Sequence, residues 1–137
     1  MARPILLDTC ALLWLSNKQP MASAALEILA EADRTRGGLA VSPISAWEIG
    51  QLVAKGRLIL PMEPTVWFET ALEAGIDLVQ MPPSLLIAAS FLPGVMLRDP
   101  ADRIIAATAR ALGFRIMTRD RILLDFAAAG HAHAIPC

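Results

Sequence analysis

Hydrophobic positions in this chain switch repeatedly between short continuous runs and one-sided helical spacing. Pro4–Leu7 is a short apolar run, the pattern of a strand buried on both faces. Cys10–Leu15 reads as a first short helix. Ala22–Thr35 carries Ala25, Leu26, Leu29 and Ala32 at helical spacing, with Gly37 and Gly38 as its stop. Leu39–Val41 is a second strand. Ser42 and Pro43 fit a cap followed by proline at the first helical position, and that helix runs to about Lys55, with Gly56 at its end.

Leu58–Leu60 reads as a short extended piece before Pro61. Pro64–Ala74 is helical and stops at Gly75. Ile76–Gln80 is a third strand, and Pro83–Leu92 another helix. Asp99 and Pro100 open a helix to Leu112, closed by Gly113. Arg115–Met117 is a fourth strand, Arg121–Ala129 a helix closed by Gly130, and Ala132–Ile135 an edge strand. Strands alternating with helices imply a parallel sheet covered on both faces. The 137 residues fit one domain, 1–137, with no linker, repeat or low-complexity tract.

Composition adds a partner to this picture. Hydrophobic residues make up 55% of the chain and mean hydropathy is +0.53, which leaves apolar surface to be covered. The net charge of −1 argues against a generally basic coat for nucleic acid. Its distribution is uneven. Residues 58–97 hold four acids (Glu63, Glu69, Glu73, Asp77) and no Lys or Arg. Residues 98–121 hold six arginines (Arg98, Arg103, Arg110, Arg115, Arg119, Arg121) against three aspartates. Read one way, that is a basic stripe for a phosphate-rich substrate. Read the other way, it is a set of solvated arginines.

Cys10 and Cys137 fit neither a metal spacing nor a disulfide framework, so a reducing cytoplasm is the simplest compartment. Arg3, the apolar residues 5–15 and Met21-Ala22-Ser23-Ala24 mimic a secretory leader, but Asp8 interrupts them. Leu78–Leu97 is uncharged for twenty residues. Pro82-Pro83 and Pro93-Gly94 break it, so it reads as buried strand, turn and helix and not as a membrane span.

The chemistry lies in the acids. In open parallel sheets the ligand crevice lies beyond the carboxyl ends of the strands. Asp8 and Asp120 stand at or just past such ends. Asp102 is in the first turn of the helix that leads into the fourth strand. Glu48 lies on the edge of the face formed by Ser45, Ile49, Leu52 and Val53, so it can look into a cleft. Each also has a plainer reading. Asp8, Asp99 and Asp120 are good helix caps, and Glu48 is an ordinary flank residue. Four inward acids need a hard cation such as Mg²⁺ or Mn²⁺ to offset their repulsion. With one bound, phosphodiester hydrolysis is the natural chemistry. Thr9 and Thr118 are candidates for binding waters or substrate there, or for local turn bonds. Arg119 and Arg121 are candidates for substrate phosphates, or for surface salt bridges.

Four segments together resemble the PIN-domain signature, across essentially the whole chain. They are Leu6-Leu7-Asp8-Thr9, residues 42–49 (SPISAWEI), residues 99–109 (DPADRIIAATA) and Met117-Thr118-Arg119-Asp120. The nearest group is the VapC-like toxins of bacterial toxin–antitoxin pairs. The resemblance implies a three-layer α/β/α sandwich around a short, mostly parallel sheet. It also implies an endoribonuclease that depends on Mg²⁺ or Mn²⁺, a homodimer, and a VapB-like antitoxin. By position, Asp8, Glu48, Asp102 and Asp120 are the acidic quartet. Asp8 and Asp102 are expected to ligate the metal, with Asp99 as an extra acid.

Two competing readings stay open at this point. One is a catalytically silent PIN-like subunit that binds RNA or protein. The other is a receiver-like domain with an aspartate nucleophile, which would want a lysine after a late strand; the only lysines are Lys18 and Lys55. His131 and His133 lack further ligands and read as a solvated tail. Trp14, Trp47 and Trp67 read as core or interface packing more than as base-stacking groups.

Overall fold

A computed structural model describes residues 3–34, 37–94 and 97–137. Five strands form one sheet: β1 (Ile5–Leu7), β2 (Leu39–Val41), β3 (Asp77–Leu78), β4 (Arg115–Thr118) and β5 (His133–Pro136). Their order is β3-β2-β1-β4-β5, and every pairing is parallel. The central strand is therefore β1, and its three residues Ile5, Leu6 and Leu7 are wholly buried. Alternation along the strand divides them. Ile5 and Leu7 join a core with Leu12, Leu29, Ile49, Trp67 and Met117, while Leu6 joins Ile105, Ile116, Leu123 and Phe126.

Two helical layers supply these cores. On the first face lie α1 (Thr9–Ser16), α2 (Ser23–Arg34), α3 (Pro43–Ala54) and α4 (Pro64–Glu73). On the second lie α6 (Pro100–Leu112) and α7 (Arg121–Ala128), and α5 (Pro83–Ala88) packs onto α6 through Leu85, Ala89 and Ala107. The result is the expected α/β/α sandwich. Proline fits at the start of α3, α4, α5 and α6 because the first helical amide has no acceptor there. Gly113 ends α6 in the left-handed region, at φ +72°, where a side chain would be strained.

The departures have local causes. The third strand keeps only Asp77 and Leu78; its one partner, β2, ends at Val41, opposite Leu78. Residues 58–60 pair with no strand, and Ile59 is almost fully exposed. The helix expected at Pro83–Leu92 tightens into a 3₁₀ turn over Ala89–Phe91. The uncharged stretch Leu78–Leu97 is not buried as expected. Ile87 is 62% exposed and Phe91 80%, with Leu78 and Leu86 also outside. A six-residue helix can lay only one face on α6, and absence of charge does not turn the other face inward. Within that stretch Val95 and Met96 lie outside the described residues, as does Thr35 at the expected end of α2. His131 and His133 are not a tail. His133 opens β5 beside Arg115, and the His131 ring lies 5.1 Å from that of Phe126. Among the described residues, no helix is long and apolar enough to cross a membrane.

Candidate active site

The site forms because helices begin where strands end. Asp8 follows β1 and caps α1, its Oδ1 accepting the Ala11 amide at 2.8 Å. In the parallel register Leu7 lies beside Met117, so Asp8 meets Thr118. The Thr118 hydroxyl donates to Asp8 Oδ2 and accepts the Asp120 amide at 2.9 Å. Asp120 in turn caps α7, its Oδ2 accepting the Leu123 amide at 2.9 Å. Two acids and one threonine are thus fixed by the ends of two adjacent strands.

A second set comes from α1 and α3. Thr9 Oγ1 donates to Glu48 Oε1. It also lies 2.9 Å from Ser45 Oγ. A hydroxyl has one proton to give, so Thr9 gives its own to the carboxylate and accepts that of Ser45. Ser45 is wholly buried and one turn before Glu48. That S-x-x-E spacing is the signal that would have found it in the sequence. The third set is on α6. Asp99 caps this helix, its Oδ1 accepting the Asp102 amide at 3.1 Å, and Asp102 sits in its first turn. Thr9 and Thr118 are both buried and both bonded to acids, so they hold carboxylates in position rather than facing an incoming strand.

Electrostatics tie the three sets together. Burial pushes the Asp102 carboxyl up to about 7, helped by the charges of Asp99, Asp120, Glu48 and Asp8 in that order. Burial also raises Asp8, against the lowering pull of the Thr118 and Ala11 hydrogen bonds; the charge of Asp120 raises it further. Glu48 is raised by burial, with Thr9 pulling down and Asp99 and Asp8 pushing up. Asp102 therefore feels the other four acids of the site. Cys10, in the first turn of α1, feels four of them. Its thiol is pushed up to about 11 by burial and then by Asp8, Glu48, Asp102 and Asp120. Cys10 matches no ligand spacing in the sequence, so only the fold brings it to the acids.

The donor set fits a hard divalent cation. It is all oxygen, partly shielded from water, and carries repulsion that a dication would cancel. Among the described residues, no three ligating side chains already close on one point at metal distance. Several carboxylate oxygens are instead engaged in caps. That suits an ion such as Mg²⁺, which keeps several waters and takes one or two carboxylates directly.

The arginines are mostly spent elsewhere. Arg103 donates to the Ala89 and Leu97 carbonyls, Arg110 to His131, and Arg115 to Arg3. Arg119 donates to the Pro20 carbonyl and stacks on Trp14. The arginine-rich segment is thus largely a set of backbone pins, and not a continuous basic stripe. Trp67 is core, whereas Trp47, beside Glu48, is exposed.

Comparison with known proteins gives the same outline. The family described as PIN domain matches residues 5–129. Ribonuclease VapC22 of Mycobacterium tuberculosis is 34% identical over 133 residues, covering 96% of this chain and 95% of that protein. Among solved structures, a chain of VapBC2 from Rickettsia felis, bound to a DNA fragment from the promoter, superposes with a TM-score of 0.69. It shares 17% identity and covers 96% of this chain and 97% of that one. PAE2754 from Pyrobaculum aerophilum superposes with a TM-score of 0.64 at 21% identity, covering 99% of this chain and 90% of that one.

Proposed function

The chain belongs to the PIN-domain family, and on that premise we propose that it is the toxin of a toxin–antitoxin pair. In this reading it is an endoribonuclease that hydrolyses RNA phosphodiester bonds with a carboxylate-held Mg²⁺ or Mn²⁺. The observation that carries the reading is the cluster at one sheet edge in which Thr118 joins Asp8 to Asp120 and Thr9 holds Glu48, with burial raising the carboxyls of Asp8, Glu48 and Asp102. Acids kept this close without basic partners are a cost to the fold, and a cation with a phosphate substrate gives that cost a use.

Asp8 and Asp102 would hold the cation, with Asp99 beside them; Glu48 and Asp120 complete the acidic set. When bound, the cation supplies Lewis acidity and offsets the charge that grows on the phosphate oxygens. The chain's own residues supply the geometry. Thr118 fixes one oxygen of Asp8, and through the Asp120 amide it links the ends of β1 and β4. Thr9 and Ser45 fix Glu48. A carboxylate raised by burial holds a proton better than a solvated one, which suits Glu48 to accept one from the attacking water.

The partner half of the reading draws on the exposed apolar residues of the α5 region, among them Ile87 and Phe91. They suit a homodimer and a VapB-like antitoxin that lays a helix on the toxin. Such a toxin would act on RNA in the cytoplasm. The test is cleavage of an RNA panel with Mg²⁺ or Mn²⁺, with EDTA, and with the product of the adjacent reading frame added. Cleavage that survives EDTA, or no cleavage with either metal, would overturn the enzymatic reading.

A further inference from the structure

Arg119 sits between two residues already drawn into the site. Thr118 before it holds Asp8, and Asp120 after it caps α7. Its own side chain is exposed, yet it is not loose. The guanidinium carbon lies 3.8 Å from the centroid of a Trp14 ring. Nη2 donates to the Pro20 carbonyl at 2.7 Å. One flat face and one N–H are therefore occupied. Among the described residues the remaining N–H groups have no protein acceptor, and no acid pairs with this charge.

The other pinned arginines differ in place and use. Arg115 opens β4 at the amino edge of the sheet, Arg110 lies near the end of α6, and Arg103 spans two carbonyls beneath α5. Arg103 also starts beside an acid but turns its guanidinium onto the Ala89 and Leu97 carbonyls, whereas Arg119, just past the end of β4, stands at the carboxyl edge with donors to spare. The buried Cys137 thiol feels the charges of both Asp8 and Arg119, so the guanidinium and the acids share that side of the molecule. A polyanion approaching five carboxylates is repelled. A fixed cation at the rim, with its edge toward solvent, offers it a foothold. Guanidinium is the group whose planar donors match a phosphate in bidentate fashion.

We propose that Arg119 is a preset clamp for an RNA phosphate flanking the scissile bond, and that Trp14 is the positioning residue that holds the guanidinium edge outward. The proposal rests on the ribonuclease reading above, and the experiment separates the two. Cleavage kinetics of a short RNA are measured for wild type and Arg119→Gln. Binding of the same RNA is measured across a salt series in the Asp8→Asn background, with and without Arg119→Gln. Loss of one charged contact is expected to raise KM on the order of 10-fold, with kcat nearly unchanged. The slope of log K against log salt should shrink by about 0.7, the value for one single-strand phosphate contact. Trp14→Leu should raise KM and keep the slope, because it loosens the charge without removing it.

An unchanged KM and salt slope in folded, cleaving Arg119→Gln would overturn the clamp while leaving the nuclease intact. If wild type cleaves nothing but Arg119→Gln still loses RNA affinity and slope, the clamp stands and the enzymatic reading falls. Should Arg119→Gln fail to fold, Arg119→Lys replaces it. That variant keeps the charge and gives up the planar stack and fork, so weaker binding at the same slope is expected. Binding equal to wild type would overturn the proposal.

Discussion

Removing an acid from the cluster should make the metal-free protein more stable, and Asp102 is the place to see it. Its carboxyl is raised from 3.8 to about 7, by burial first and then by four neighbouring acids. A folded-state pKa above the unfolded one means that the native state binds the extra proton. Stability from this group is therefore greatest at low pH and falls as pH rises from about 4 to about 7. Above that window the whole penalty is present. Three pKa units correspond to about 4 kcal/mol. Asp102 keeps partial solvent contact, so screening reduces this to about 2 kcal/mol. Asn at the same position gives up about 0.5 kcal/mol of favourable charge at the helix N-terminus. The net gain for Asp102→Asn at pH 8 is about 1.5 kcal/mol, or ~5 °C in Tm for a chain of this size. At pH 5 the folded carboxyl is protonated while the unfolded one is still ionised, so roughly a third of the penalty persists and the gain should shrink to below about 1 kcal/mol. Thermal melts of both proteins in EDTA at the two pH values measure it. Adding Mg²⁺ should raise the wild-type Tm and move the variant less. A variant equally destabilised at both pH values would show that these acids do not strain the fold, and the electrostatic case for a cation site would fail with it.

Three further outcomes follow from the same geometry. Asp8→Asn keeps the cap on the Ala11 amide but loses the charge, so RNA cleavage should drop on the order of 10³-fold with the fold retained, as activity and circular dichroism together would report. Thr118→Val strips a buried bond from Asp8 and orphans the Asp120 amide; a loss of about 1–3 kcal/mol in urea denaturation at pH 8 is expected, and no loss would mean that the threonine holds neither. Asp99→Asn retains capping and should lose less activity than Asp102→Asn, whereas Asp99→Ala should cost about 1 kcal/mol of stability; a dead Asp99→Asn beside an active Asp102→Asn would reverse the two roles.

The parallel fold was readable because β1, β2 and β4 are short apolar runs set between helices with strong start and stop residues. What was not readable concerned edges. β3 stops at Leu78, opposite the end of its partner, a property that its own residues do not encode. The burial of Leu78–Leu97 was misjudged because an uncharged segment and a buried one look alike until the helix it packs on is known. In the site, Asp8 and Asp120 were expected from their place after strands, Asp102 and Glu48 from their place on helices, and Thr9 and Thr118 as neighbours. Their roles as carboxylate holders depended on parallel register and on the approach of α3, which spacing alone does not give. The arginines misled for a similar reason. A count of charges says nothing of the carbonyls that Arg103, Arg110 and Arg115 will meet.

The two readings of each aspartate, cap or site, turn out not to compete. Asp8, Asp99 and Asp120 all cap helices, and the charges of all three act on Asp102. The geometry explains why. A helix that starts at the carboxyl edge of a parallel sheet turns its amides toward that edge, and a carboxylate answering them must stand there too. In Asp8 one oxygen serves the helix while the other takes the Thr118 hydroxyl. The amide bonds lower the cost of holding the charge, as they do for Asp8. Asp102 and Glu48 cap nothing, and Asp102 is the acid pushed closest to neutrality. Fold stability alone would not select an acid at either position. Those two side chains are therefore the ones whose place in the fold helix capping does not account for.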